Sequence, residues 1–225
     1  MVVKEASLTT QELRNAILGG SLAKDGRLMS ERVLAQTLQV TRSRLRGVLD
    51  DLAREGLVFR RHGQGTFLQP PPAQAPSRLD GLARRVSPAA LMEVRLELEP
   101  ALAALAAERG SASDKARLLR LMEDTLIAPD LQSYERADDI FHYKIAEMAG
   151  NEVFLTLFEE IRSLRQAKDW TEARQAKLGE ENMTAVSTQH SAIANAICAG
   201  STSAARTAMY EHMQQVRSVV LTETP

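Results

Sequence analysis

The stretch from Ser30 to Leu57, SERVLAQTLQVTRSRLRGVLDDLAREGL, constrains this chain more than any other. It holds two short amphipathic segments and a tight break. Ser30 is a good N-cap, and Val33, Leu34 and Leu38 recur behind it at helical spacing. The break falls at Gln39-Val40. Thr41 then caps a second segment in which Leu45, Val48, Leu49 and Leu52 share a face, and Gly56 supplies the stop. Helix, short turn and helix make a helix-turn-helix, whose second helix can lie in a DNA major groove. The first residues of such a helix reach base edges, and here they include Arg42, Arg44 and Arg46. Arg42 and Arg46 share a helical face, and a planar guanidinium pairs with guanine or with phosphate oxygens. A surface helix with solvated arginines is the competing interpretation.

The residues that follow favour DNA. Leu57 to Arg60 and Thr66 to Leu68 are β-prone runs around Arg61-His62-Gly63-Gln64-Gly65, a basic loop with two glycines. They predict a hairpin, the wing of a winged helix-turn-helix. Its glycines permit close approach to a phosphate backbone or a minor groove.

Residues 10–68 resemble the N-terminal domain of GntR-type bacterial transcription regulators. The matching pieces are Leu13-Arg14-Asn15-Ala16-Ile17, Gly26-Arg27-Leu28, Ser30-Glu31-Arg32, Leu34-Ala35, Val40-Thr41-Arg42, Arg46, Leu49, Leu52, Glu55-Gly56-Leu57 and Gly65-Thr66-Phe67. The resemblance implies DNA contacts from Arg32, Thr41, Arg42 and Arg46, with His62 and Gly63 in the wing. Where the family usually carries proline, this chain has Met29 and Arg44. Arg44 therefore joins the expected DNA contacts as a residue that shifts operator preference.

Charge is distributed unevenly. The chain of 225 residues has a formal net charge of −1, yet residues 1–72 carry 11 Lys and Arg against 7 Asp and Glu, and the remainder 17 against 22. A basic front and an acidic back fit a DNA reader joined to something else. The single cysteine, Cys198, excludes an intrachain disulfide and fits a reducing compartment. No export signal and no run of eighteen apolar residues is present, so a cytoplasmic protein without membrane contact is expected. Gln69-Pro70-Pro71-Pro72-Ala73-Gln74-Ala75-Pro76 favours an extended spacer. The expected organisation is a winged helix-turn-helix over 1–69, a proline-containing linker over 70–78, and an effector and dimerisation domain over 79–225.

Before the helix-turn-helix, Thr9 or Thr10 can cap a helix carrying Leu13, Ile17 and Leu18 and closed by Gly19-Gly20, with Leu22 to Arg27 as a loop. From Arg78 onward the patterning is helical. Ser87-Pro88 opens a helix to about Gly110 with Leu91, Val94, Leu98 and Leu102 as its apolar stripe. Further helices are expected from Ser113-Asp114 towards Ile127, from Ser133 to Gly150, from Asn151 to about Leu178, from Asn182 to Ala199 and from Thr202 to Leu221. The fold class is thus mainly α: the winged head with its small β-hairpin, then an all-α antiparallel bundle.

Residues 85–220 are similar to the all-helical FCD effector domain of the FadR subfamily. The matches are Val94-Arg95 with Glu99-Pro100, Asp138 with Phe141-His142, Ala149-Gly150-Asn151, Gln189-His190 with Ile193 and Ala196-Ile197, and Glu211-His212. Asp138 and His142 stack on one helical face, and His190 and His212 lie on the last two helices beside apolar residues. Taken singly, each histidine reads more readily as a core or surface residue. Together they match the metal-binding branch of the family, and one carboxylate with three imidazoles suits a borderline divalent cation. Zinc is the first expectation, with nickel, manganese or iron as alternatives.

The resemblance further implies a small organic acid as effector, held by the cation and by Arg95, with Asn151 and Arg162 as additional candidates and Arg165 behind them. Two of them have a plainer role available: Arg95 an ion pair with Glu99 one turn on, Asn151 a helix cap. The expected function is a homodimeric, ligand-responsive regulator, taken as a repressor, on a double-stranded DNA operator. A direct metal sensor is the alternative. A metal-dependent enzyme is the third possibility, against which no further general base stands at a defined spacing from the ligands.

Overall fold

The computed structural model describes residues 8–24, 26–55, 57–61, 65–68, 70, 85–165 and 180–221. The chain divides into two compact units, Met1–Pro71 and Pro72–Pro225.

In the first unit, helix α1 (Thr10–Leu18) starts at Thr9, which forms a capping box with Glu12. Helix α2 (Glu31–Thr37) starts at Ser30, whose hydroxyl accepts from the Val33 amide at 3.4 Å. Helix α3 (Arg42–Glu55) starts at Thr41, which accepts from the Arg44 amide at 3.3 Å. Between α2 and α3 the chain reverses through Gln39 at φ 51°, a left-handed position that is costly for a residue with a side chain and so marks a tight turn. Leu13, Ile17, Leu34, Leu45, Leu49 and Leu52 are fully buried and bind the three helices into one core. The expected stop at Gly56 lies outside the described residues.

The wing forms as β3 (Phe59–Arg61) and β4 (Gly65–Phe67), antiparallel, with Phe59 opposite Phe67, and both rings are buried. Its tip, including His62 and Gly63, lies outside the described residues. One expectation needs correction. The segment from Leu22 to Arg27 is not merely a loop: β1 (Ala23–Lys24) and β2 (Arg27–Leu28) pair with each other, and β2 pairs with β4 through Arg27 and Phe67. The sheet order is β1-β2-β4-β3. Strands of two residues carry no readable alternation; they exist because the wing edge supplies backbone partners.

The described part of the second unit is helical. Helix α4 (Pro88–Arg109) opens with Ser87 accepting from the Ala90 amide and Pro88 in its first turn. Helix α5 (Ala112–Leu126) starts earlier than expected, at a capping box between Ser111 and Asp114. Helix α6 (Leu131–Met148) is capped by Asp130, which accepts from the Ser133 amide at 2.7 Å, so Ser133 lies in its first turn rather than before it. Helix α7 (Glu152–Arg165) is capped by Asn151, and its expected continuation to Leu178 lies outside the described residues. Helices α8 (Glu180–Cys198) and α9 (Thr202–Leu221) complete the unit. Helix α4 packs along α9 and also touches α6, α7 and α8, which places its buried face at the centre. No described helix is long and apolar enough to cross a membrane.

The apolar stripe on α4 is also corrected. Leu91 and Leu102 are buried, but Val94 is 48% exposed and Leu98 only half-buried. The inward face runs through Leu91, Met92, Arg95, Leu96, Glu99, Leu102, Ala103 and Ala106. Two charged residues sit in the middle of it. A search for apolar residues at helical spacing skips those positions and settles one residue out of phase.

Candidate metal centre and nucleic-acid interface

The inward faces of α6, α8 and α9 bring together Asp138, His142, His190 and His212, all fully or almost fully buried. Asp138 and His142 come from successive turns of α6. Their side chains offer four ligand atoms lying within 4.8 Å of one another, a cluster that could hold a metal ion. The Nε2 atoms of His142 and His212 are 3.2 Å apart. Asp138 Oδ1 is 3.6 Å from His142 Nε2 and 3.5 Å from His190 Nε2. Ligand atoms about 2.0–2.2 Å from a tetrahedral zinc ion are separated by roughly 3.3–3.6 Å, and these three of the six spacings lie close to that range.

The outward sides of the three rings explain why Nε2 points in. His142 Nδ1 lies 2.7 Å from Glu99 Oε2, an acceptor without a proton to give when ionised. His190 Nδ1 lies 3.0 Å from Thr125 Oγ1, whose own proton goes to the Met122 carbonyl at 2.7 Å. His212 Nδ1 lies 3.2 Å from Gln189 Oε1. An acceptor thus stands at Nδ1 of each ring, so the Nδ1–H tautomer satisfies all three outward contacts and leaves Nε2 for the centre, as ligation through Nε2 requires. Burial and then the neighbouring His190 and His142 push the His212 imidazole well below its ordinary range, only partly opposed by Asp138 and Glu99. Three convergent lone pairs and a carboxylate oxygen repel one another without a cation, and they make a fitting nitrogen–oxygen donor set for one.

Around this cluster the buried charges are paired. Burial raises the cost of ionising Glu99, but Arg95, His142 and Arg165 more than offset it and hold the carboxyl far below the usual carboxylate range. Arg95 Nε donates to Glu99 Oε1 at 2.5 Å. Arg165 Nη2 donates to Asp138 Oδ2 at 3.2 Å, on the far side from the oxygen that faces the histidines. Arg162 donates from Nε to both oxygens of Asp139 at 2.8 Å. Asp139 thus serves Arg162 and is not one of the four clustered residues. Asn151 is exposed, and its side-chain oxygen accepts from the Val153 and Phe154 amides as a helix cap.

Of the sequence-derived effector candidates, Arg95 and Arg162 are therefore buried and ion-paired, and Asn151 lies at a helix start. Of the outer partners, Thr125 carried no signal in the sequence, and Gln189 entered only as a family match beside His190. Glu99 entered as a family match and as the ion partner of Arg95, and its bond to His142, which joins two helices, was not legible.

In the first unit, Arg32, Thr41, Arg42 and Arg46 are exposed on and beside the start of α3. Thr41 also spends its hydroxyl as the helix cap. Arg46 Nη2 pairs with Glu31 at 3.1 Å, and Glu31 in turn pairs with Arg60, which reaches Asp50. Such exposed pairs are worth about 0–1 kcal/mol, so Arg46 is easily released to a phosphate or base. Arg44 differs from the others: it is half-buried and donates to the Leu8 carbonyl. His62 and Gly63 lie outside the described residues.

Comparison with known proteins agrees with both parts. Residues 6–68 match the family described as bacterial regulatory proteins, gntR family, and residues 90–215 match the FCD domain. The chain is 32% identical over 216 residues to the HTH-type transcriptional regulator LutR of Bacillus subtilis, covering 91% of this chain and 95% of that protein. It is 30% identical over 209 residues to the putative L-lactate dehydrogenase operon regulatory protein of Escherichia coli, covering 86% and 78%. It is also 30% identical over 224 residues to the HTH-type transcriptional repressor NanR of Klebsiella aerogenes, covering 95% and 84%. Among solved structures, E. coli McbR/YncC shares the fold, with a TM-score of 0.52 at 20% identity over 94% of each chain.

Proposed function

We propose, on the premise that the chain belongs to the gntR family of bacterial regulatory proteins and is a DNA-binding transcription regulator with an FCD domain, that it represses transcription under the control of a small carboxylate bound beside a divalent cation. Asp138, His142, His190 and His212 hold the cation, with zinc as the first candidate. The observation that carries this reading is the convergence of three inward Nε2 atoms and one Asp138 oxygen in a buried site.

Charge supports the carboxylate. Arg95, Arg162 and Arg165 each face a carboxylate, so the buried ions around the site are matched before a cation is added. A divalent cation leaves positive charge that a small organic anion neutralises. Among the described residues, the Arg95 guanidinium bonds only Glu99 and, at 3.7 Å, Met92 Sδ, which leaves Nη2 for an anion. The Escherichia coli relative is named for an L-lactate dehydrogenase operon, which makes 2-hydroxy acids the first compounds to test. The Klebsiella aerogenes relative is named a repressor.

On the DNA side, Arg32, Thr41, Arg42 and Arg46, with His62 and Gly63 of the wing, read or clamp the operator. A single head covers a short half-site, so two copies bind a near-palindromic operator. The effector acts by binding the DNA-competent and DNA-incompetent arrangements unequally.

The test begins with protein purified without chelator or affinity-tag nickel. It should carry about one divalent cation per chain, and His190→Ala and His212→Ala should each lose it. Full metal content in both variants would refute the site. Operator affinity is then measured against free Zn²⁺ and, with Zn²⁺ fixed, against a panel of 2-hydroxy and simple carboxylic acids. A response to Zn²⁺ alone identifies a metal sensor; a response to an acid at fixed Zn²⁺ supports the effector reading.

A further inference from the structure

This inference rests on the cation reading above and concerns Glu99. The residue is 2% exposed, and its two oxygens serve two different helices. Oε1 takes the Nε–H of Arg95, one turn away on α4, at 2.5 Å. Oε2 takes the Nδ1–H of His142, on α6, at 2.7 Å. The other two rings lean on neutral acceptors, Thr125 at 3.0 Å and Gln189 at 3.2 Å. Of these three outer bonds among the described residues, that of His142 is the shortest and the one made to a carboxylate.

We propose that Glu99 is a positioning residue of the cation site. It fixes His142 in the Nδ1–H tautomer and turns Nε2 towards Asp138 and His212. Arg95 is its anchor: by holding Oε1 it sets the direction in which Oε2 meets His142. The guanidinium available to an anion and the imidazole available to a cation are thus tied through one carboxylate. Cation affinity and the orientation of Arg95 must change together.

Glutamine at this position discriminates well. Arg95 and His142 both present N–H donors, and an amide has a single carbonyl to offer. Whichever neighbour the carbonyl serves, the other meets the amide NH₂, so one of the two bonds is lost with little change in volume. Full-length Glu99→Gln, stripped of metal, is titrated with Zn²⁺ against a competing chelator. Affinity should fall by about 10–100-fold relative to wild type. In parallel, ring ¹H–¹⁵N spectra are recorded with and without Zn²⁺. Wild type should show a downfield, slowly exchanging Nδ1–H for His142, and the variant should lose it or shift it upfield, which a general loss of stability would not do.

Wild-type zinc affinity together with an unchanged His142 ring signal in the variant would overturn the proposal. If the variant does not fold, the wild-type spectrum decides, and a His142 ring lacking the Nδ1–H signal refutes the assignment. If wild type binds no Zn²⁺, the cation reading of the previous section fails. The metal-free ring spectrum of wild type and variant still decides the role of Glu99.

Discussion

Replacing Arg95 with alanine should destabilise the second unit severely, and the magnitude follows from the geometry. The side chain is 1% exposed and its Nε lies 2.5 Å from Glu99, itself 2% exposed. Alanine removes the guanidinium and leaves the carboxylate buried with His142 as its remaining close partner. Breaking a buried pair from one side costs about 3–5 kcal/mol, since the stranded charge keeps its desolvation penalty. A change of 1 kcal/mol moves Tm by about 2–4 °C in proteins of this size, so the transition of the second unit should fall by roughly 6–20 °C.

The pH dependence has a definite sign. In wild type the folded Glu99 carboxyl is depressed below its ordinary 4.5, so its contribution is complete above that value and is lost only as pH falls through the lower folded value. In the variant, burial without the guanidinium moves the carboxyl upward, and protonation relieves the stranded charge. The deficit relative to wild type should therefore narrow on acidification from neutral pH. Calorimetry of metal-free full-length protein, following the second transition, measures both effects. The double variant Arg95→Met with Glu99→Leu should recover much of the loss, because it strands no charge. A deficit below about 1 kcal/mol in Arg95→Ala, or one that widens on acidification, would refute the buried-pair argument.

Other expectations follow from the same geometry. Arg42→Ala and Arg46→Ala should each weaken specific operator binding by about 1–3 kcal/mol in a fluorescence titration, whereas the half-buried Arg44, bonded to Leu8, should matter less for affinity than for the stability of the first unit. His212 is held well below 6.5 in the folded protein, so the unfolded chain binds the extra proton and metal-free stability should decline as pH drops through about 6.5, a trend that denaturant melts at several pH values would reveal. Leu49→Ala empties a fully buried position shared by the three head helices and should cost about 2–5 kcal/mol, abolishing operator binding near the head's melting point while zinc binding persists.

The sequence by itself determined the features that depend on neighbours along the chain. The caps at Thr9, Ser30, Thr41, Ser87 and Asn151 are local hydrogen bonds, so residue type and position announce them. The helix-turn-helix was legible for the same reason, since its core residues recur at one period. The four clustered residues were legible because histidine is rare here, Asp138 and His142 fall one turn apart, and the residues match the family that the second half resembles.

What only the tertiary structure decided are the contacts between elements distant in the chain. The phase of α4 was missed because its central inward residues, Arg95 and Glu99, are charged and become compatible with burial only once paired and bonded to His142 on α6. The two-residue strands β1 and β2 depend on a wing that follows them by some thirty residues. Arg44 looks like a reading residue at its position in α3, yet its side chain turns to the Leu8 backbone. The inward aim of the Nε2 atoms is fixed by Glu99 on α4, Thr125 on α5 and Gln189 on α8. No periodicity records such bonds, because a hydrogen bond across helices requires three-dimensional proximity that composition and spacing leave open.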